Sequence, residues 1–194
     1  MSDSFYIYLQ DKIALSLDDY KIIQRVSRIR KLRKGQYLLQ EGELCNFVAF
    51  VTQGCLRNYR VDEKGEEHIV YFATENYWSG DRESYMLQEP SNYYIDAVTD
   101  SEVIQITKDN FEMLCTEIPK LGELVNVLIQ KSFIVSQNRI HSAISFTAEE
   151  KYLDFLKRRP KLATLVPQHM IASYLGMTPE TLSRIRNTTK KKRS

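Results

Sequence analysis

The sequence predicts an α+β chain: an N-terminal β-roll (a double-stranded β-helix or jelly roll), then a long helix suited to dimerisation, then a C-terminal helix-turn-helix. Three observations carry this. Between Leu32 and Ile106, Gly35, Gly42, Gly54, Gly65 and Gly80 cut the chain into short alternating or aromatic runs, the mark of many short strands. From Thr107 onward only Gly122 and Gly176 remain, and apolar residues recur at three- and four-residue steps. Residues 168–187, QHMIASYLGMTPETLSRIRN, place a small residue, a glycine and a helix start signal at the spacing two crossing helices require. The expected parts are 1–117, 118–145 and 146–194.

Residues 1–30 read as helical, with Asp18 and Asp19 ahead of Ile22, Ile23 and Val26. Strands are expected at Phe47–Val51, Cys55–Val61 and His68–Phe72, with Asp62-Glu63-Lys64-Gly65 as the hairpin turn between the last two. A short helix is expected over 108–115, and a long one from Pro119 to about Ser142. Leu121, Leu124, Val125, Leu128, Ser132 and Val135 form its apolar stripe, widened by Ile129, Phe133 and Ile134. That surplus of apolar surface packs either on the chain's own roll or on the same helix of a second copy. Thr147-Ala148-Glu149-Glu150 is a capping box opening the next helix, which Pro160 should stop.

Composition narrows the function classes. The net charge of +2 hides a split, because residues 150–194 hold eleven Lys and Arg against Glu150, Asp154 and Glu180. One part is built to meet a polyanion and the rest is not. Cys45, Cys55 and Cys115 are widely spaced, and His68, His141 and His169 are the only histidines. No four-ligand zinc or iron–sulfur pattern is present, so reduced thiols and no metal are expected. A roll that catalyses through a metal needs a His and carboxylate cluster, and this one has His68 alone; an enzyme is not expected. The first fifteen residues carry Asp3, Asp11 and Lys12 and lack a continuous apolar core, so no leader, no membrane span and a cytoplasmic location are expected.

The chemistry concentrates in 168–187. Ala172 allows close helix crossing, and Gly176 supplies the positive φ of the turn. Ile171, Leu175, Met177, Leu182 and Ile185 stand where the shared core would be. Thr178 is a good N-cap and Pro179 suits the first helical position. Glu180, Thr181, Ser183, Arg184 and Arg186 are then expected around the outer face of the second helix. In a major groove, Arg contacts guanine O6 and N7 and Glu accepts from cytosine N4. Gln168 and His169, at the start of the first helix, are expected on phosphate. Lys190 to Arg193 would add attraction that ignores sequence.

These features resemble the Crp/Fnr family of bacterial transcription regulators, the family of the catabolite activator protein. The resemblance covers the roll (about 20–108), the long helix (about 118–142) and the helix-turn-helix. Thr178-Pro179-Glu180-Thr181-Leu182-Ser183-Arg184-Ile185 is similar to the family's recognition helix. It implies base contacts for Pro179, Glu180 and Arg184, although Pro179 departs from the Arg common there. It also implies an effector pocket at Gly80, Asp81, Arg82, Ser91, Asn92 and Tyr93. Here the departure is larger: Asp81 replaces the family's Glu, and Ser91 stands where an Arg would neutralise a cyclic phosphate. Cyclic AMP is therefore not the expected effector, and no cofactor is expected. The iron–sulfur branch needs an N-terminal cysteine cluster, and residues 1–44 hold no Cys; the haem branch would rest on His68 alone. Tyr71, Phe72, Tyr77, Trp78, Tyr85, Tyr93 and Tyr94 either line a more apolar pocket or fill the roll's core. Few residues follow Asn187, so a wing is expected from 160–167 or not at all.

The expected partners are double-stranded DNA, a second copy through residues 118–142, and RNA polymerase, with no membrane. The competing reading is a sensor for a cyclic nucleotide or another small ligand that acts through protein contacts.

Overall fold

Residues 3–191 are described by a computed structural model. The chain opens with helices α1 (Asp3–Ile13) and α2 (Leu17–Val26). Strands β1 (Ser27–Leu32), β2 (Tyr37–Leu39), β3 (Phe47–Gln53), β4 (Cys55–Val61), β5 (Glu67–Thr74) and β6 (Trp78–Ser79) follow. A short helix α3 (Arg82–Leu87) precedes β7 (Tyr94–Ala97) and β8 (Ser101–Thr107). The remainder is helical: α4 (Lys108–Glu117), α5 (Pro119–Ser145), α6 (Ala148–Arg158), α7 (Pro160–Leu165), α8 (Gln168–Leu175) and α9 (Pro179–Lys191).

The strands build two four-stranded sheets, ordered β1-β8-β3-β6 and β2-β7-β4-β5. Non-consecutive neighbours make this a roll rather than a meander. The strand β1 begins five residues earlier than the glycine pattern suggests. All six of its residues pair with β8, from Ser27↔Ile106 to Leu32↔Ser101, so tertiary pairing overrides the helical reading of residues 27–30. Between β3 and β4, Gly54 adopts φ +91°, and a Cβ there would collide with Ser101. The glycine is what lets the β3–β4 corner close on the neighbouring turn.

Two units are distinct by internal contacts: Met1–Arg60 with Val70–Ile129, and Val61–Ile69 with Gln130–Ser194. The first has two cores. Leu38, Leu39, Val51, Leu56, Ile95 and Val103 fill the space between the sheets. Phe5, Leu9, Ile23, Phe50, Ile104, Leu114 and Leu121 join α1, α2, α4 and the start of α5 to the outer face of one sheet. Trp78 packs here, its ring 5.2 Å from Phe50 and 5.6 Å from Phe111. Phe72 is buried while Tyr77 is exposed, so the aromatic supply divides between core, surface and the N-terminal helices and lines no single pocket among the described residues.

In the second unit, Tyr152, Phe155, Leu162, Val166, Ile171, Ala172, Leu182 and Ile185 are buried. The capping box at α6 forms as its sequence predicts, with Glu150 N–H donating to Thr147 Oγ1 and Thr147 N–H donating to Glu150 Oε2 at 2.8 Å. Thr147, which donates to that carboxyl through both its N–H and its hydroxyl, holds the Glu150 carboxyl below its ordinary range. Thr147→Ala is expected to cost about 1 kcal/mol, read as a lower urea midpoint with an unchanged slope. The Glu150 contribution is present above the ordinary carboxylate range and lost as pH falls through its depressed value.

Residues 160–165 are helical, which selects the alternative in which this segment forms no wing. Pro160 stops α6 and starts α7, because its fixed φ and missing N–H suit the first helical position. The cysteines are free, with Cys45 and Cys55 buried and Cys115 half-buried. Burial pushes the Cys45 and Cys115 thiols up, which keeps them neutral.

Candidate nucleic-acid interface

The turn between α8 and α9 forms around Gly176, at φ 65° and ψ 43°. Its N–H closes α8 on the carbonyls of Ala172 and Ser173, a left-handed cap that a Cβ would strain. Ala172 and Ile171 are fully buried at the crossing, and Leu182 and Ile185 face them from α9. Leu175 and Met177 are only half-buried, so the shared core is smaller than the sequence suggests. Thr178 caps α9: its Oγ1 accepts from Thr181 N–H at 3.3 Å. Ser173 is held in turn by the start of β5, donating to the Glu67 carbonyl at 2.7 Å and accepting from Ile69 N–H at 3.0 Å.

One face of α9 carries a shallow, open concavity between the side chains of Pro179, Glu180, Ser183, Arg184, Asn187 and Thr188. Glu180, Ser183, Arg184 and Asn187 are exposed. The Glu180 carboxyl is held below its ordinary range by its own backbone N–H and by Thr178, so it is an anion poised to accept. Arg184 has no ion-pair partner among the described residues, which leaves its whole fork available to donate.

The sequence-predicted residues divide. Pro179, Glu180, Ser183 and Arg184 come together on this face. Thr178 and Thr181 sit at its edge and are used in the cap. Arg186 is half-buried and does not line the concavity, because a step of two residues from Arg184 turns it well away around the helix. His169 is exposed at the start of α8, whereas Gln168 is half-buried with its Oε1 lacking a partner. Lys190 falls in the last turn of α9, and Lys192 and Arg193 lie outside the described residues. Asn187 and Thr188 were missed. Their signal is the continuation of the Glu180–Arg184 face by one further turn.

The predicted effector pocket forms only in part. Asp81 caps α3, accepting from Glu83 N–H at 3.0 Å, and its other oxygen accepts from Ser91 Oγ at 2.7 Å. Asn58 Nδ2 donates to the Gly80 carbonyl, and Tyr93 N–H donates to Ser91 Oγ. Arg82 and Asn92 are exposed. The buried cation of the roll, Arg57, is engaged by Asp96 through two bonds of 2.8 and 2.9 Å. A cyclic phosphate seated at Ser91 would meet the Asp81 carboxylate, and the Arg60 guanidinium at this end of the roll is already set over the Tyr93 ring at 4.2 Å and 3.7 Å from Glu83, so these residues do not fit a cyclic nucleotide. His68 lies on the exposed hairpin, 2.9 Å from Asp62 and grouped with Glu66.

Fold and site together define a class: a β-roll domain continued by a long helix into a helix-turn-helix. Residues 29–117 match the family described as the cyclic nucleotide-binding domain. The chain is 25% identical over 171 residues to the anaerobic regulatory protein of Haemophilus influenzae, covering 82% of this chain and 66% of that protein. It therefore spans just under two-thirds of that relative's length. Among solved structures, FixK2 of Bradyrhizobium japonicum superposes with a TM-score of 0.76 at 20% identity, covering 86% of each chain. A transcriptional regulator of the Crp/Fnr family from Eubacterium rectale superposes with a TM-score of 0.69 at 17% identity, covering 95% of this chain and 87% of that one. The chain has a Crp/Fnr-like fold, with a stretch that matches the cyclic nucleotide-binding domain.

Proposed function

We propose that the protein is a sequence-specific DNA-binding transcriptional regulator that works as a homodimer. The observation that carries this is the exposed face of α9, where an anionic Glu180 and an unpaired Arg184 project beside a correctly capped helix start. Such a helix enters a major groove and reads base edges through acceptor and donor groups of this kind. On this reading residues 1–117 sense, 118–145 dimerise and 146–194 bind DNA in the cytoplasm, with RNA polymerase as the further partner. This reading gives none of the described residues a catalytic role. The misfit at Asp81 and Ser91 argues against cyclic AMP as an effector. No helix among the described residues is long and apolar enough to cross a membrane.

Electrophoretic mobility of mixed genomic fragments at two salt concentrations tests the reading. Retention of a defined subset, weakening steeply with salt, is expected. Retention of nothing would instead favour a sensor acting through protein contacts.

Dimerisation rests on α5. Leu121 and Leu124 are buried in their own core, but Phe133 is 62% exposed, Ile140 61% and Ile144 80%. Steps of seven and four put these three on one stripe, the pattern of a helix that pairs with a second copy. Phe133→Glu with Ile140→Glu is expected to give monomers in sedimentation velocity and to abolish binding to a two-half-site operator. Persistence of the dimer would move the interface elsewhere.

The carboxyl of Glu180 gives a pH prediction. Because its pKa is lowered, the acceptor is present from neutral pH down through the ordinary carboxylate range. Discrimination at its base pair is expected to stay flat from about pH 8 to about pH 5. A decline centred near pH 6 would show that another group reads that base.

A further inference from the structure

Six residues line the α9 concavity, and two of its polar side chains have no role in the reading so far. Thr188 is already used, because its Oγ1 donates to the Arg184 carbonyl at 3.1 Å. Asn187 is not: it is exposed, and its amide has no hydrogen-bond partner among the described residues. Seven residues separate it from Glu180 and three from Arg184, so all three share one stripe of the helix.

We propose that Asn187 is a further specificity-determining residue and that it reads an adenine; this rests on the DNA-binding reading above. The amide carries a donor and an acceptor in one plane, the pattern that matches adenine N7 and N6–H₂ in the major groove. Glu180 offers only acceptors and Arg184 only donors, so neither can read both edges of adenine. Along the axis Asn187 lies about 4.5 Å beyond Arg184, close to the roughly 3.4 Å rise of one base pair. The adenine therefore neighbours the base pair that Arg184 contacts, and the recognised half-site is one position longer than Glu180 and Arg184 alone would make it.

The test is operator selection from a randomised duplex pool by the full-length protein, followed by affinity measurements on the selected site and on single-base variants. Wild type is expected to enrich an A·T pair next to the position governed by Arg184. Replacing that pair should weaken wild-type binding by roughly 5- to 150-fold. For Asn187→Ala the same replacement should cost nothing, and Asn187→Arg should shift the preference to G·C. The Ala substitution sits on an exposed helical face, and unchanged far-ultraviolet circular dichroism checks that the helix persists. If wild type and Asn187→Ala select the same matrix, or if Asn187→Ala weakens every sequence equally as a phosphate contact would, the assignment is wrong while DNA binding stands. If wild type enriches no sequence, the DNA-binding reading falls and this assignment with it.

Discussion

Arg184→Ala is expected to weaken binding to the selected operator by about 1–3 kcal/mol, roughly 5- to 150-fold, while leaving non-specific affinity nearly unchanged. The expectation follows from where the side chain stands. It is exposed on the concave face of α9, between Glu180 and Asn187. No carboxylate among the described residues competes for its fork, so the protein loses no internal contact when it is removed. A bidentate contact to guanine O6 and N7 is made only at one base pair, and its loss should relax preference there alone. Arg184→Lys should recover little, because a point charge cannot reproduce the planar fork. The salt dependence separates the alternatives. A base contact leaves the slope of log affinity against log salt nearly intact, whereas a phosphate contact would reduce it by about one and weaken all sequences together. The second outcome would leave Arg184 as a backbone anchor and hand specificity to its neighbours.

How much of this was legible depended on how local each determinant is. The helix-turn-helix is written within twenty residues. Ala172, Gly176, Thr178 and Pro179 each perform the local task their residue type suggests, and the structure places them accordingly. The hairpin at Asp62 likewise forms from its own turn chemistry, with Gly65 N–H donating to the Asp62 carbonyl. The sheet order is different. Strand β8 lies between β1 and β3, and no local pattern encodes a neighbour seventy residues away. The same reason hid the start of β1, whose Arg-rich sequence becomes a strand only because β8 is beside it. Pro160 was read as a stop alone, although a proline that ends one helix is equally suited to begin another. In the roll, the loss of an Arg at Ser91 was visible. The engagement of Ser91 by Asp81 was not, since it depends on the α3 cap bringing residues ten apart together.

The least legible feature carries the largest stability prediction. Arg57 interrupts the apolar run of β4, and Asp96 interrupts β7; the two are direct cross-strand partners in register. Arg57 Nε donates to Asp96 Oδ1 at 2.8 Å and Nη2 donates to Oδ2 at 2.9 Å, with both side chains 8% exposed. The guanidinium also lies 4.1 Å from the centre of the Tyr59 ring, which stacks on Tyr94. Removing one partner leaves a desolvated charge without its direct counter-charge. Asp96→Ala and Arg57→Ala are therefore each expected to destabilise by about 3–5 kcal/mol, a large share of the roughly 5–15 kcal/mol that holds a typical domain folded. The double variant Arg57→Met with Asp96→Leu removes both charges and keeps apolar volume, so it should lie near the wild type in stability or above it. Urea midpoints of the four proteins compare breaking the pair with replacing it by apolar groups. Single variants no worse than the double would mean that water reaches the pair and relieves the unpaired charge. The expected ordering, with both singles far below the double, would mean that this pair is tolerated in the roll only as a pair. It would also mean that Arg57 cannot be spared to bind an anionic ligand without unbalancing Asp96, which adds a second obstacle to a cyclic phosphate beside the one at Ser91.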